Sequence, residues 1–160
     1  MTTHDPASAG LGRAPVQTAA LVVGATFLLV GILGFVPGIV SNFDDLKFAG
    51  HESDAELLGL FQVSVLHNIV HLLFGVAGLA LAKSAQGAFT FLIGGGAVYL
   101  VLWVYGLLID HESGANFVPL NNADNWLHLG LGVGMIAAGL MLKPQHQPGA
   151  APPTNDPARP

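Results

Sequence analysis

Cysteine is absent from the chain's 160 residues. Disulfides, thiolate metal sites, iron–sulfur clusters and covalently attached haem are excluded together, so any metal must use histidine, carboxylate or amide oxygen. Charge is almost as scarce: 9% of residues are charged, against about 25% in a typical soluble domain. That leaves too little polar surface to solubilise an all-helical core. There are only five Lys and Arg and the net charge is -5, so no basic patch for nucleic acid exists. No Ser/His/Asp set, phosphate loop or paired carboxylates within an apolar run can be found. The Glu of a His-Glu-x-x-His hydrolase is missing too. An enzyme is therefore not the expected reading.

What remains is apolar. AVILMFWYC residues make up 52% and the mean hydropathy is +0.60. Four long runs are nearly free of charge: Ala19–Val40, Leu57–Ala82, Ala88–Ile109 and Trp126–Leu142. A membrane-spanning helix needs about 20 apolar residues, with a range of roughly 17–25. The expected fold is all-α, an integral membrane four-helix bundle built from two helical hairpins over residues 15–142. A flexible segment, 1–14, precedes it, and a Pro-rich disordered tail, 143–160, follows. The first run is too long for a cleavable signal and lacks a small-x-small site.

Arg13, Lys83, Lys143 and Arg159 fall on one side of the runs and Lys47 on the other. The positive-inside rule then places both termini in the cytoplasm. Asp44, Asp45, Glu52, Asp54, Glu56, Asp110, Glu112 and Asp124 face outward. They read as a solvated loop surface or, more sharply, a cation-gathering rim.

Local signals set the helix ends. Pro15 suits a first helical turn, and Pro37-Gly38 marks an end. Ser53-Asp-Ala-Glu56 resembles a capping box, which predicts a second helix from Asp54. Asn121 or Asn122 suits the cap of the fourth. Trp126 fits an interface anchor, and Tyr99, Trp103 and Tyr105 fit either an aromatic belt, the commoner case, or the bundle interior. Ala20 and Gly24 form a small-x-x-x-small pair that allows close helix contact. Such faces leave a homo-oligomer open without selecting one.

The most informative pattern is a repeat. Asn68-x-x-His71-Leu-x-x-Gly75-Val recurs as Asn125-x-x-His128-Leu-x-x-Gly132-Val. Unpaired polar groups in hydrocarbon are costly, so two such runs predict helices that meet through these groups. Helical periodicity puts Ser64, His67, Asn68, His71, Gly75 and Gly78 on one face of helix two. Asn121, Asp124, Asn125, His128, Gly132, Met135 and Gly139 share a face of helix four. At 1.5 Å per residue, His71 lies about 18 Å above Lys83 and His128 about 22 Å above Lys143, so the two are at similar depth.

Four readings compete. The first is structural: Ser64, Asn68, Asn121 and Asn125 form a polar cluster that, with the histidines, joins helices two and four. The second is a zinc or copper site made by His67, His71, His128 and Asp124. The third is haem held between His71 and His128, with Gly75 and Gly132 making room. The fourth, a proton or ion path, is weakest because the inner half of the stripe is glycine and apolar.

Leu58-Gly59-Leu60-Phe61, His67-Asn68-Ile69-Val70-His71, Gly75-Val76-Ala77-Gly78 and Asn116-Phe117-Val118-Pro119-Leu120-Asn121 followed by Asp124-Asn125-Trp126-Leu127-His128 carry a further signal. With them, the segment from Pro15 to about Leu142 resembles an uncharacterised bacterial four-helix membrane protein family, domain of unknown function 4383. The resemblance implies four spans in a lipid bilayer and no particular activity.

Overall fold

The computed structural model describes residues 12–144. The expected leading segment and tail therefore lie almost wholly outside the described residues. These form four helices and one small sheet: α1 (Pro15–Leu33), β1 (Val40–Ser41), a 3-10 turn (Phe43–Asp45), β2 (Glu56–Leu57), β3 (Phe61–Gln62), α2 (Val65–Leu81), α3 (Ala85–Leu108) and α4 (Asn122–Met141). Among the described residues, α1 and α3 are long and apolar enough to cross a membrane, and α2 is a shorter apolar helix.

Pro15 opens α1 as its sequence position suggests. Gln17 ties that end to the next helix: its Oε1 accepts from the Ala14 N–H at 3.0 Å, and its Nε2 donates to the Ala82 carbonyl at 3.0 Å. Helix α1 stops at Leu33, short of Pro37-Gly38. Helices α2 and α3 are capped by Ser64 and Ser84. Asn121 caps α4 in a reciprocal box with Asp124.

The expected helical start at Ser53–Glu56 is corrected. Ser53 Oγ donates to the Val63 carbonyl at 2.6 Å and accepts from Lys47 N–H at 3.2 Å, so it caps nothing. Glu56 and Leu57 instead pair antiparallel with both neighbours: Val40 faces Leu57, and Glu56 faces Gln62. The turn between β2 and β3 has left-handed backbone at Leu58 (φ 57°) and Gly59 (φ 66°). Glycine takes that conformation freely, whereas leucine does so at a cost of roughly 1–2 kcal/mol.

Helices pack as two hairpins, α1 on α2 and α3 on α4. Backbone approaches backbone through glycine. A Cβ on Gly75 would stand 2.8 Å from the Gly24 carbonyl oxygen, and one on Gly132 would stand 3.0 Å from that of Gly96. The Ala20/Gly24 face is therefore used inside the chain. Val16, Ala20, Phe27, Phe91, Leu92, Tyr99 and Met135 form the main apolar core. A second cluster, Val40, Ala55, Leu57 and Val63, lies beneath the sheet.

The helices carry large apolar side chains on their outward faces and bury several polar ones beside the apolar core. Val22, Leu29, Leu73, Val101, Leu108, Val133 and Met141 are exposed, while Ser64, His67, Asn68, Asp124, Asn125 and His128 are buried.

Candidate functional site

The buried polar residues cluster where α2 and α4 begin. Ser64 Oγ accepts the His67 N–H at 3.1 Å, and Asn121 Oδ1 accepts the Asp124 N–H at 3.0 Å. His67 and Asp124 thus occupy the same position after their caps, with His71 and His128 one turn deeper. Asp124 Oδ2 accepts two backbone N–H groups, from Asn121 at 3.1 Å and from Gln62 at 3.0 Å. Asn121 Nδ2 donates to the Leu60 carbonyl at 2.9 Å. The start of α4 is therefore fastened to the strand that leads into α2. Asp124 does not belong to the solvated acidic loops, being 2% exposed.

His67, His71, Asp124 and His128 line one cavity of about 100 Å³ with Val63 and Leu127. The three histidines also border a second, of about 110 Å³, beside Tyr99 and Tyr105. His67 Nδ1 lies 3.1 Å from the Gln62 carbonyl oxygen, and His67 Nε2 lies 3.2 Å from His71 Nε2. A carbonyl only accepts, so His67 carries its proton on Nδ1. With both rings neutral, its bare Nε2 accepts from Nε2–H of His71. His71 Nδ1 is then a lone pair. It has no partner, and neither has His128 Nδ1 or Asn125 Oδ1.

The asparagines act differently from expectation. Asn68 Nδ2 donates to the Gly34 carbonyl at 2.7 Å, and Asn125 Nδ2 to the Gly106 carbonyl at 3.1 Å. Each clamps the end of the preceding helix in its own hairpin, satisfying a carbonyl that the helix end leaves open. They do not join α2 to α4. Ser64 and Asn121 are helix caps, so of the expected joining cluster only the histidines share a space between α2 and α4, with Asp124 of the expected metal set beside them. A Cβ on Gly34 or Gly106 would overlap the clamping amide. Tyr105 hydroxyl donates to the Ala115 carbonyl, and His111 Nε2–H to that of Gly106 at 2.9 Å.

Aromatic rings complete the arrangement. Phe27 packs on His71 with centroids 5.5 Å apart, and Tyr99 on His128 at 5.1 Å. Phe27 and Tyr99 stack on each other at 5.4 Å. Tyr99 is an interior residue rather than part of a belt, at 3% exposure. Gly24, Phe27 and Leu28 of α1, with Gly34 just past its end, stand at one constant offset from Gly96, Tyr99, Leu100 and Gly106 of α3. The sequence reading missed this correspondence, although the Asn/His/Gly recurrence could have prompted a search for it. Gln62 was also missed. Its role rests on backbone atoms, which no side-chain pattern signals.

A family model described as Domain of unknown function (DUF4383) matches residues 17–141. The chain belongs to this family. No curated protein and no solved structure matches it.

The cofactor readings meet the geometry unequally. Leu28 packs into the space at Gly75 and Leu100 into that at Gly132, so the glycines leave no slot for a haem ring. Both cavities also fall below the roughly 300 Å³ of the smallest usual ligand pockets. Among the described residues, no three His, Asp or Glu side chains converge as a metal set.

Proposed function

We propose that this DUF4383 chain is a multi-pass, non-enzymatic protein of the bacterial cytoplasmic membrane. Its two helical hairpins form an internal repeat about a pseudo-two-fold axis along the membrane normal, with both termini in the cytoplasm and the sheet outside. The observation that carries the reading is an apolar exterior around an interior that holds polar groups as well as an apolar core. Asn, His, Asp and Gly side chains or backbones face inward, while Val, Leu, Ile and Met line the outside of the helices. That distribution suits a surrounding hydrocarbon, where polar groups must be satisfied inside the protein. Helices α1 to α4 measure about 28, 26, 36 and 30 Å at 1.5 Å per residue, close to the roughly 30 Å of hydrocarbon. In this reading the Asn–carbonyl clamps hold each hairpin closed, and the Phe27–Tyr99 stack with its flanking histidines joins the two.

The cysteine-free chain makes the test direct. Single cysteines at Glu52, Glu112 and Lys83 are introduced and treated with a membrane-impermeant maleimide on intact cells. Labelling at positions 52 and 112, with protection at 83 until lysis, supports the topology. Labelling of position 83 from outside, or release of the protein from membranes by alkaline carbonate, would sink it.

A further inference from the structure

The 3.2 Å between His67 Nε2 and His71 Nε2 fits a hydrogen bond, but it also fits a shared ion. Two imidazole nitrogens bound to one tetrahedral metal at about 2.0–2.1 Å stand roughly 3.3 Å apart. We propose that His67 and His71 form a two-pronged clip for a zinc-like divalent transition-metal ion, completed from α4 by Asp124 and His128. Four observations point there together. The Gln62 carbonyl holds the Nδ1–H of His67, which turns Nε2 toward the cavity in the way that outer hydrogen bonds orient metal-binding histidines. Asp124 and His128 line that same cavity, at positions equivalent to His67 and His71. A buried nitrogen without a partner, His128 Nδ1, stands in this group; such groups are rare because they are costly. Finally, an open polar recess of about 470 Å³, bordered by Asp45, Asp54 and Glu56, shares Gln62 and Asn121 with the site. Its acids raise the local cation concentration at the cavity's outer side.

Binding moves the His71 proton from Nε2 to Nδ1, so the ion replaces the shared proton without net loss from either ring. The two N–H donors on Asp124 Oδ2 leave lone pairs of the carboxylate for the ion. Asp124 and His128 reorient toward the pair as the ion enters, since three donors do not already converge.

The full chain, purified through a histidine-free tag and placed in nanodiscs, is titrated with Co²⁺. One saturable equivalent with the intense visible bands of a tetrahedral ion is expected, displaced by Zn²⁺. His71→Ala should weaken binding by more than the roughly 10–100-fold that loss of a mere outer-shell contact brings, and Asp124→Asn should weaken it as well. Should His71→Ala fail to fold, X-ray absorption of the Zn²⁺-loaded natural chain decides: at least two imidazoles in the first shell are expected. No saturable equivalent, a fully hydrated ion, or unchanged affinity in a folded His71→Ala would overturn the proposal.

Discussion

Gly106→Ala separates the clamp from ordinary helix chemistry. In a helix interior, Gly→Ala contributes about 0.5–1 kcal/mol of stability, and Gly94 is the matched control because nothing stands within 4 Å of a Cβ there. At Gly106 the same methyl overlaps the Asn125 amide. Asn125 must withdraw, losing a hydrogen bond worth about 0.6 and up to 1.7 kcal/mol between membrane helices. Crowding a packed site adds about 1–3 kcal/mol. The propensity gain is common to both variants, so Gly106→Ala should fall below Gly94→Ala by roughly 2–5 kcal/mol. At about 2–4 °C per kcal/mol for a chain of this size, that is a gap of roughly 4–20 °C in Tm. Thermal unfolding in one detergent, followed by circular dichroism, reads it. The double variant Gly106→Ala/Asn125→Ala removes the overlap and should lose less than the sum of its parts. Equal Tm for the two glycine variants, or strict additivity of Gly106→Ala with Asn125→Ala, would refute the clamp.

Other outcomes follow from the same contacts. Asn68→Ala and Asn125→Ala, which act in separate hairpins, should each lower the unfolding temperature and add within about 0.5 kcal/mol, whereas His67→Ala and His71→Ala, in direct contact, should couple by about 0.5 kcal/mol or more; the same melts check both. Gly59→Ala should destabilise by about 1 kcal/mol through backbone conformation alone, since the nearest atom to its Cβ is Ser41 Oγ at 3.4 Å. Leu58→Gly, which relieves the same strain one residue earlier, should be neutral or up to about 1 kcal/mol stabilising; denaturation midpoints compare the pair.

Periodicity revealed the helical face that matters. Asp124, Asn125, His128, Gly132, Met135 and Gly139, grouped by spacing alone, are the buried residues of α4. The cap at Asn121 was also legible, because an Asn followed three residues later by Asp is a local signal. Residues 53–62 were not legible. Ser53-x-x-Glu56 has the form of a capping box, but Ser53 Oγ is engaged by Val63 and Lys47, and those partners are set by tertiary packing. The end of α1 was missed for a similar reason: the apolar run continues to Val40, but the chain turns after Leu33, where the Gly34 carbonyl meets Asn68. Spacing placed both asparagines on inward faces. It could not tell whether they would meet one another or the preceding helix. The two hairpins answer alike: Asn68 binds the Gly34 carbonyl and Asn125 that of Gly106.

The proposed lipid-facing exterior of the bundle is tested most directly by spin labels placed one at a time along α4 in liposomes, with collision rates measured for oxygen, which concentrates in lipid, and for a water-soluble nickel chelate. Trp126, Val133 and Leu140 are 70%, 53% and 56% exposed, whereas His128 and Met135 are 4% and 3% exposed. Oxygen collisions should therefore peak at 126, 133 and 140 and fall to a minimum at 128 and 135. The opposite phase, or strong nickel collisions at 133 and 140, would contradict the account.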